Sequence, residues 1–167
     1  MSEVVETEDG ISPAVAQRLQ VIAGSMGGGL TMMAGLVAWT YVNGVAKVPA
    51  PDHARFINLL TTVAMLVAVS CIVASEILWR RLLKTAPGPL GSRVQSAFIV
   101  RMALREGAGF LGMTVAYLAA LNGVLRVYPA YWVNLAPYGL FVGFLAAHWP
   151  TAERLSAAAR ETLGSGL

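Results

Sequence analysis

Glu76, Arg80, Arg101, Arg105 and Glu106 are the residues best placed to do chemistry, because they lie within or at the edges of long apolar runs. Ionisable groups in such surroundings are costly and mark ion pathways, proton relays or internal ion pairs. Glu76 precedes Arg80 by four residues, the favourable order for an ion pair along one helix. Arg101 and Arg105 share a helix face by the same spacing, and Glu106 follows immediately. Two chemistries fit this set. One is a fixed charge network at the edge of a membrane, with Glu106 beside arginine or the arginines paired with Glu76. The other is a carboxylate that binds and releases a proton or sodium ion. Two arginines just ahead of Glu106 favour the fixed network, since nearby positive charge holds a carboxylate ionised.

Other chemistries are excluded or weakly supported. The single cysteine, Cys71, rules out an intramolecular disulfide, a CxxC redox pair and a thiolate metal cage. His53 and His148 belong to opposite ends of the expected fold and cannot share a metal within one chain. No Ser-His-Asp arrangement, phosphate loop or HExxH motif is present. The expectation is therefore no enzyme, no metal and no cofactor. His148 beside Trp149 is read as an interfacial histidine next to an aromatic anchor, with a pigment or quinone contact as the least supported reading.

The surrounding elements follow from hydropathy. Hydrophobic residues make up 56% and charged residues 13% of the chain, with a mean hydropathy of +0.63, outside ordinary soluble usage. Apolar stretches run from Leu19 to Val42, Phe56 to Trp79, Ala97 to Val124 and Ala130 to Trp149. Each has about 20 residues or more, enough to cross about 30 Å of hydrocarbon as a helix. The expected fold is all-α, a single membrane domain of four transmembrane helices. Ser12 and Pro13 are expected to begin the first helix and Asn43 and Gly44 to end it, with Asp52 capping the second. Beyond Pro150, residues 151–163 are expected to form a short amphipathic helix stopped by Gly164. The acidic start, Glu3, Glu6, Glu8 and Asp9, lacks the basic region of a cleaved leader.

Basic residues set the orientation. Arg80, Arg81, Lys84 and Arg93 fall in the connection between the second and third spans, joined on that side by Arg18, Arg154 and Arg160. Only Lys47, Arg55 and Arg126 fall on the other. The positive-inside bias therefore puts both termini in the cytoplasm. No basic stripe alternates with aromatics, so nucleic acid is not an expected partner.

Glycines supply a second pattern. Gly24, Gly28, Thr31, Gly35 and Ala38 recur at helical spacing, Ala108, Gly112, Ala116 and Ala120 form a similar row, and Gly139 and Gly143 a third. Lipid gives no hydrophobic drive to helix association, so small residues promote it by allowing close backbone approach. These rows are expected to pack against helices of this chain or of a neighbour.

The stretch FIVRMALREGAGFLGMTVAYL, residues 98 to 118, resembles the carboxylate-bearing helix of rotor-ring proteolipids, subunit c of F-type ATP synthases and its V-type relatives. Arg93 and Gln95 follow a polar loop, Ala103-Leu104-Arg105-Glu106-Gly107 matches the central small-Leu-x-acid-small pattern, and Gly112 falls six residues after the acid. The chain also looks like small four-span bacterial membrane proteins with this signature. The resemblance implies a bacterial cytoplasmic membrane and makes Glu106 the counterpart of an ion-binding carboxylate. The preferred reading is a non-enzymatic packing or accessory subunit of a homo-oligomer or larger membrane complex, in contact with the lipid bilayer. The alternative is a proteolipid-like proton or sodium translocating subunit that uses Glu106.

Overall fold

The computed structural model describes residues 11–44 and 48–164. The acidic start and Lys47 lie outside the described residues. Among these residues every regular element is helical: α1 (Pro13–Asn43), α2 (Pro51–Thr85), α3 (Leu90–Leu121), a single turn α4 (Val124–Val127), a 3-10 segment (Pro129–Leu135), α5 (Ala136–Ala147) and α6 (Ala152–Gly164).

Local chemistry explains the boundaries. Ser12 Oγ accepts from the Val15 amide at 3.4 Å, and Pro13 supplies a preset φ where a missing N–H costs nothing. The second helix starts differently from expectation. Ala50 is its N-cap, Pro51 opens the first turn and Asp52 lies inside that turn, where a negative charge faces the positive end of the helix. α2 and α3 form an antiparallel hairpin around Ala86 to Pro89. Gly88 adopts φ +103 there, a conformation that suits glycine. Arg93 Nη1 donates to the Leu83 carbonyl at 2.9 Å, satisfying an open acceptor near the end of α2.

The third expected span, 97–124, is displaced. Its helix begins seven residues earlier, at Leu90, and ends at Leu121; Gly123, at φ +73, turns the chain into α4. The fourth is interrupted: Pro129 and Pro137 each deny a backbone donor, and its first part winds as a 3-10 helix before α5.

Three helical stretches are long and apolar enough to cross a membrane: Pro13–Asn43, Pro51–Thr85 and Pro129–Ala147. α3 is not among them, because Arg101, Arg105 and Glu106 lie within it. Yet α3 is the centre of the packing, touching α1, α2 and α5 and burying Val94, Phe98, Met102, Met113 and Ala116. The outside of α2 is inverted relative to a soluble protein. Phe56, Leu59, Val63, Leu66, Val73 and Ile77 are exposed along it, a continuous apolar face that water does not favour.

α6 folds back on the helix ends. Leu155 and Ala159, four residues apart, are its buried face. Trp79 donates its indole N–H to Thr162 Oγ1 at 3.1 Å, the Ile11 amide donates to Ser156 Oγ at 3.3 Å, and Gln20 donates to the Pro150 carbonyl at 3.2 Å. The segment is thereby tied to α2 and to the start of α1.

Candidate functional site

The hairpin brings Glu76 of α2 opposite Arg101 and Arg105 of α3. Arg101 donates from Nε and Nη2 to Glu76 Oε1 at 2.9 and 2.6 Å, and from Nη2 to Oε2 at 2.7 Å. Arg105 Nη2 reaches Oε1 at 2.5 Å, while its Nε donates to Ser75 Oγ at 3.1 Å. Ser75 is fully buried and passes its own hydrogen to the Ile72 carbonyl at 2.7 Å. Both arginine side chains are 12% exposed and the Glu76 side chain 36%.

Aromatic rings complete the lock. The Arg101 guanidinium lies 5.1 Å from the Trp79 ring centre and 4.7 Å from Phe144; Arg105 lies 4.0 Å from Phe144. The negative faces of these rings favour the cations, so α5 joins α2 and α3 at the same place. Phe144 in turn stacks on His148 at 4.4 Å and 17°. Charge-assisted bonds of this kind are short and strongly directional, and the arrangement holds three helices in one register.

Two expected members fall outside the cluster. Arg80 remains exposed and does not meet Glu76, which is taken by α3 instead. Glu106 is not paired with arginine. Consecutive helical residues point about 100° apart, so when Arg105 turns toward α2, Glu106 turns away. It sits partly exposed on an outward stripe with Ala103, Gly107 and Phe110.

The glycines divide. A Cβ at Gly112 would run into the Asn134 backbone carbonyl and lie 3.4 Å from Pro137 Cγ, so this position is a close helix contact. Gly24 has ordinary contact at 4.0 Å with Trp149. Gly28, Gly35, Gly139 and Gly143 have nothing within 4 Å and face outward, so they do not pack inside this chain. Gly27, against Leu145 at 2.9 Å, and Gly109, against Leu30 at 3.1 Å, make close approaches that the sequence rows left out. Gly109 was accessible in principle, standing three residues before Gly112.

Asn134 was also missed. It is fully buried, donating to Thr61 Oγ1 at 3.0 Å and to the Tyr131 carbonyl at 2.9 Å. An uncharged amide in an apolar run gives a weaker signal than a charge. Cys71 is half-buried and free, and no group of three His, Cys, Asp or Glu able to hold a metal occurs among the described residues.

Comparison of the chain with protein-family models, with curated proteins and with solved structures finds no match in any of the three.

Proposed function

We propose that the chain is a non-enzymatic integral membrane protein of four spans, α3 being the fourth, and that it acts as a packing or accessory subunit of a homo-oligomer or larger membrane complex. The lysine and arginine bias supports placing both termini and the α2–α3 turn on the cytoplasmic side. The proteolipid-like signature supports a bacterial cytoplasmic membrane. One observation carries the assembly reading: Gly28, Gly35, Gly139 and Gly143 stand outward on apolar helices with nothing within 4 Å. Exposed glycine gains nothing from lipid, whereas a neighbouring helix gains close approach.

Gly28→Leu tests this. The added side chain meets open space in a single copy, so the thermal midpoint of the monomeric protein in detergent stays within about 2 °C, under about 1 kcal/mol for a chain of this size. Association, followed by cross-linking in native membranes, falls several-fold. Unchanged cross-linking removes the reading.

A second reading is favoured by the position of Glu106. Outward, partly exposed and apart from the arginine lock, it occupies the kind of place an exchanging carboxylate of a proteolipid-like translocator requires. The accessory reading expects no ion flux in proteoliposomes from the protein alone. Carbodiimide-sensitive flux lost in Glu106→Gln establishes the translocator instead.

A further inference from the structure

Where α6 folds back against α1 and α2 it borders an open pocket of about 350 Å³ whose lining includes Trp79, Phe98, Arg101, His148, Arg154 and Glu161. The walls are largely aromatic and apolar, but the charges do not balance. Arg101 and Arg154 meet one lining acid, Glu161, and the carboxylate behind Arg101, Glu76, is shared with Arg105. Among the described residues the pocket and the ion pair behind it thus hold three guanidiniums and two carboxylates. Among the described residues Nη1 of Arg101 has no hydrogen-bond partner, since Glu76 takes only Nε and Nη2. Arg154 donates from Nη1 to the Ala147 carbonyl at 3.3 Å, and its guanidinium makes no other hydrogen bond among the described residues.

A guanidinium as deeply buried as that of Arg101, with the exposed Arg154 beside it, favours an oxygen anion. The forked donors suit the oxygens of a phosphate group, and an excess of one positive charge matches the single negative charge of a phosphodiester. α6 is amphipathic, with Leu155 and Ala159 buried and Glu153, Arg154, Arg160 and Glu161 exposed, as in helices that lie at the hydrocarbon–headgroup boundary. Basic pockets between helices at that level hold anionic lipid headgroups. The cavity is also in the size range of small-ligand sites.

We propose that this cavity binds a phosphate group, carried by an anionic phospholipid or by free phosphate, with Arg101 and Arg154 as the receiving cations. The site goes beyond the assembly reading and rests on it only in taking the chain to be in a membrane.

Native mass spectrometry of the full chain in detergent tests it, using phosphatidylglycerol, phosphatidylcholine and inorganic phosphate as probes. The expected result is one phosphatidylglycerol retained per copy in preference to phosphatidylcholine. Arg154→Gln weakens retention about fivefold, the loss of one cation near a headgroup. Ala157→Trp, which fills the cavity from an exposed position of α6, weakens it at least as much. Elution volume and helical circular dichroism check that both variants are folded. Retention that survives excess inorganic phosphate assigns the lipid as source; displacement by inorganic phosphate, again sensitive to both variants, assigns free phosphate. Equal retention of the two lipids without phosphate binding, or retention unchanged in both folded variants, overturns the proposal. Each readout is per copy, so a monomeric protein, which would defeat the assembly reading, gives the same test.

Discussion

Glu76→Gln is expected to lower the thermal midpoint in detergent by about 8 °C. The substitution keeps size and one acceptor oxygen but removes the charge that two guanidiniums share. Breaking a buried ion pair from one side costs about 3–5 kcal/mol, since it strands the partner. With Glu76 36% exposed, solvent screens part of this, leaving about 2–3 kcal/mol. A chain of this size loses about 2–4 °C per kcal/mol. Arg105→Gln placed on top should recover part of the loss, because one stranded cation is gone while Arg101 keeps its ring contacts with Trp79 and Phe144. Arg80→Gln should be nearly neutral, as Arg80 does not reach Glu76. Calorimetry of the three proteins decides the matter: equal losses in Glu76→Gln and Arg80→Gln would return the ion pair to α2 alone.

The pairing was legible in one respect and hidden in another. Glu76 stands 12 residues before Gly88 and Arg101 stands 13 after it, so a tight antiparallel turn at Gly88 sets them side by side. The alternative of Arg80 four residues on was as good locally, and what decides between them is tertiary: α3 supplies two donors and a dry aromatic flank. Adjacency misled in the case of Glu106, whose neighbour Arg105 points elsewhere because helical direction changes with every residue. The helices themselves were readable because long apolar runs leave little choice of structure. Their ends moved by several residues where proline and glycine rather than hydropathy set the limit, as at Pro51, Gly123 and Pro137. The glycine rows show a deeper limit. Small residues suit an internal contact and a contact with another subunit equally, so spacing finds a row without saying what covers it. Gly28 and Gly27 are neighbours in sequence, yet one faces open space and the other Leu145.

Of the substitutions to alanine at Gly28, Gly109, Gly112 and Gly139, Gly112→Ala should be the most damaging, and by a margin that its size alone does not suggest. The new methyl meets the backbone carbonyl of Asn134, with Pro137 close behind. Backbone cannot swing aside as a flexible side chain can, so relief requires the 3-10 segment to move from α3. That segment is not free to move: the Asn134 amide is bonded to Thr61 of α2, and a shift would leave a fully buried amide without its partner. Overpacking of this kind costs about 1–3 kcal/mol, and the rigid obstacle puts Gly112→Ala at the upper end, a fall of about 9 °C in the midpoint. Gly109→Ala is the informative comparison. Its nearest obstacle is the end of the Leu30 side chain at 3.1 Å, which can turn away, so its loss should be less than half as large. Gly28→Ala and Gly139→Ala, facing open space, should leave a single copy unchanged. Thermal unfolding of the four variants at a protein concentration that keeps them monomeric gives the ranking directly. A Gly112→Ala midpoint no lower than that of Gly28→Ala would mean that the 3-10 segment does not lie against α3 as described.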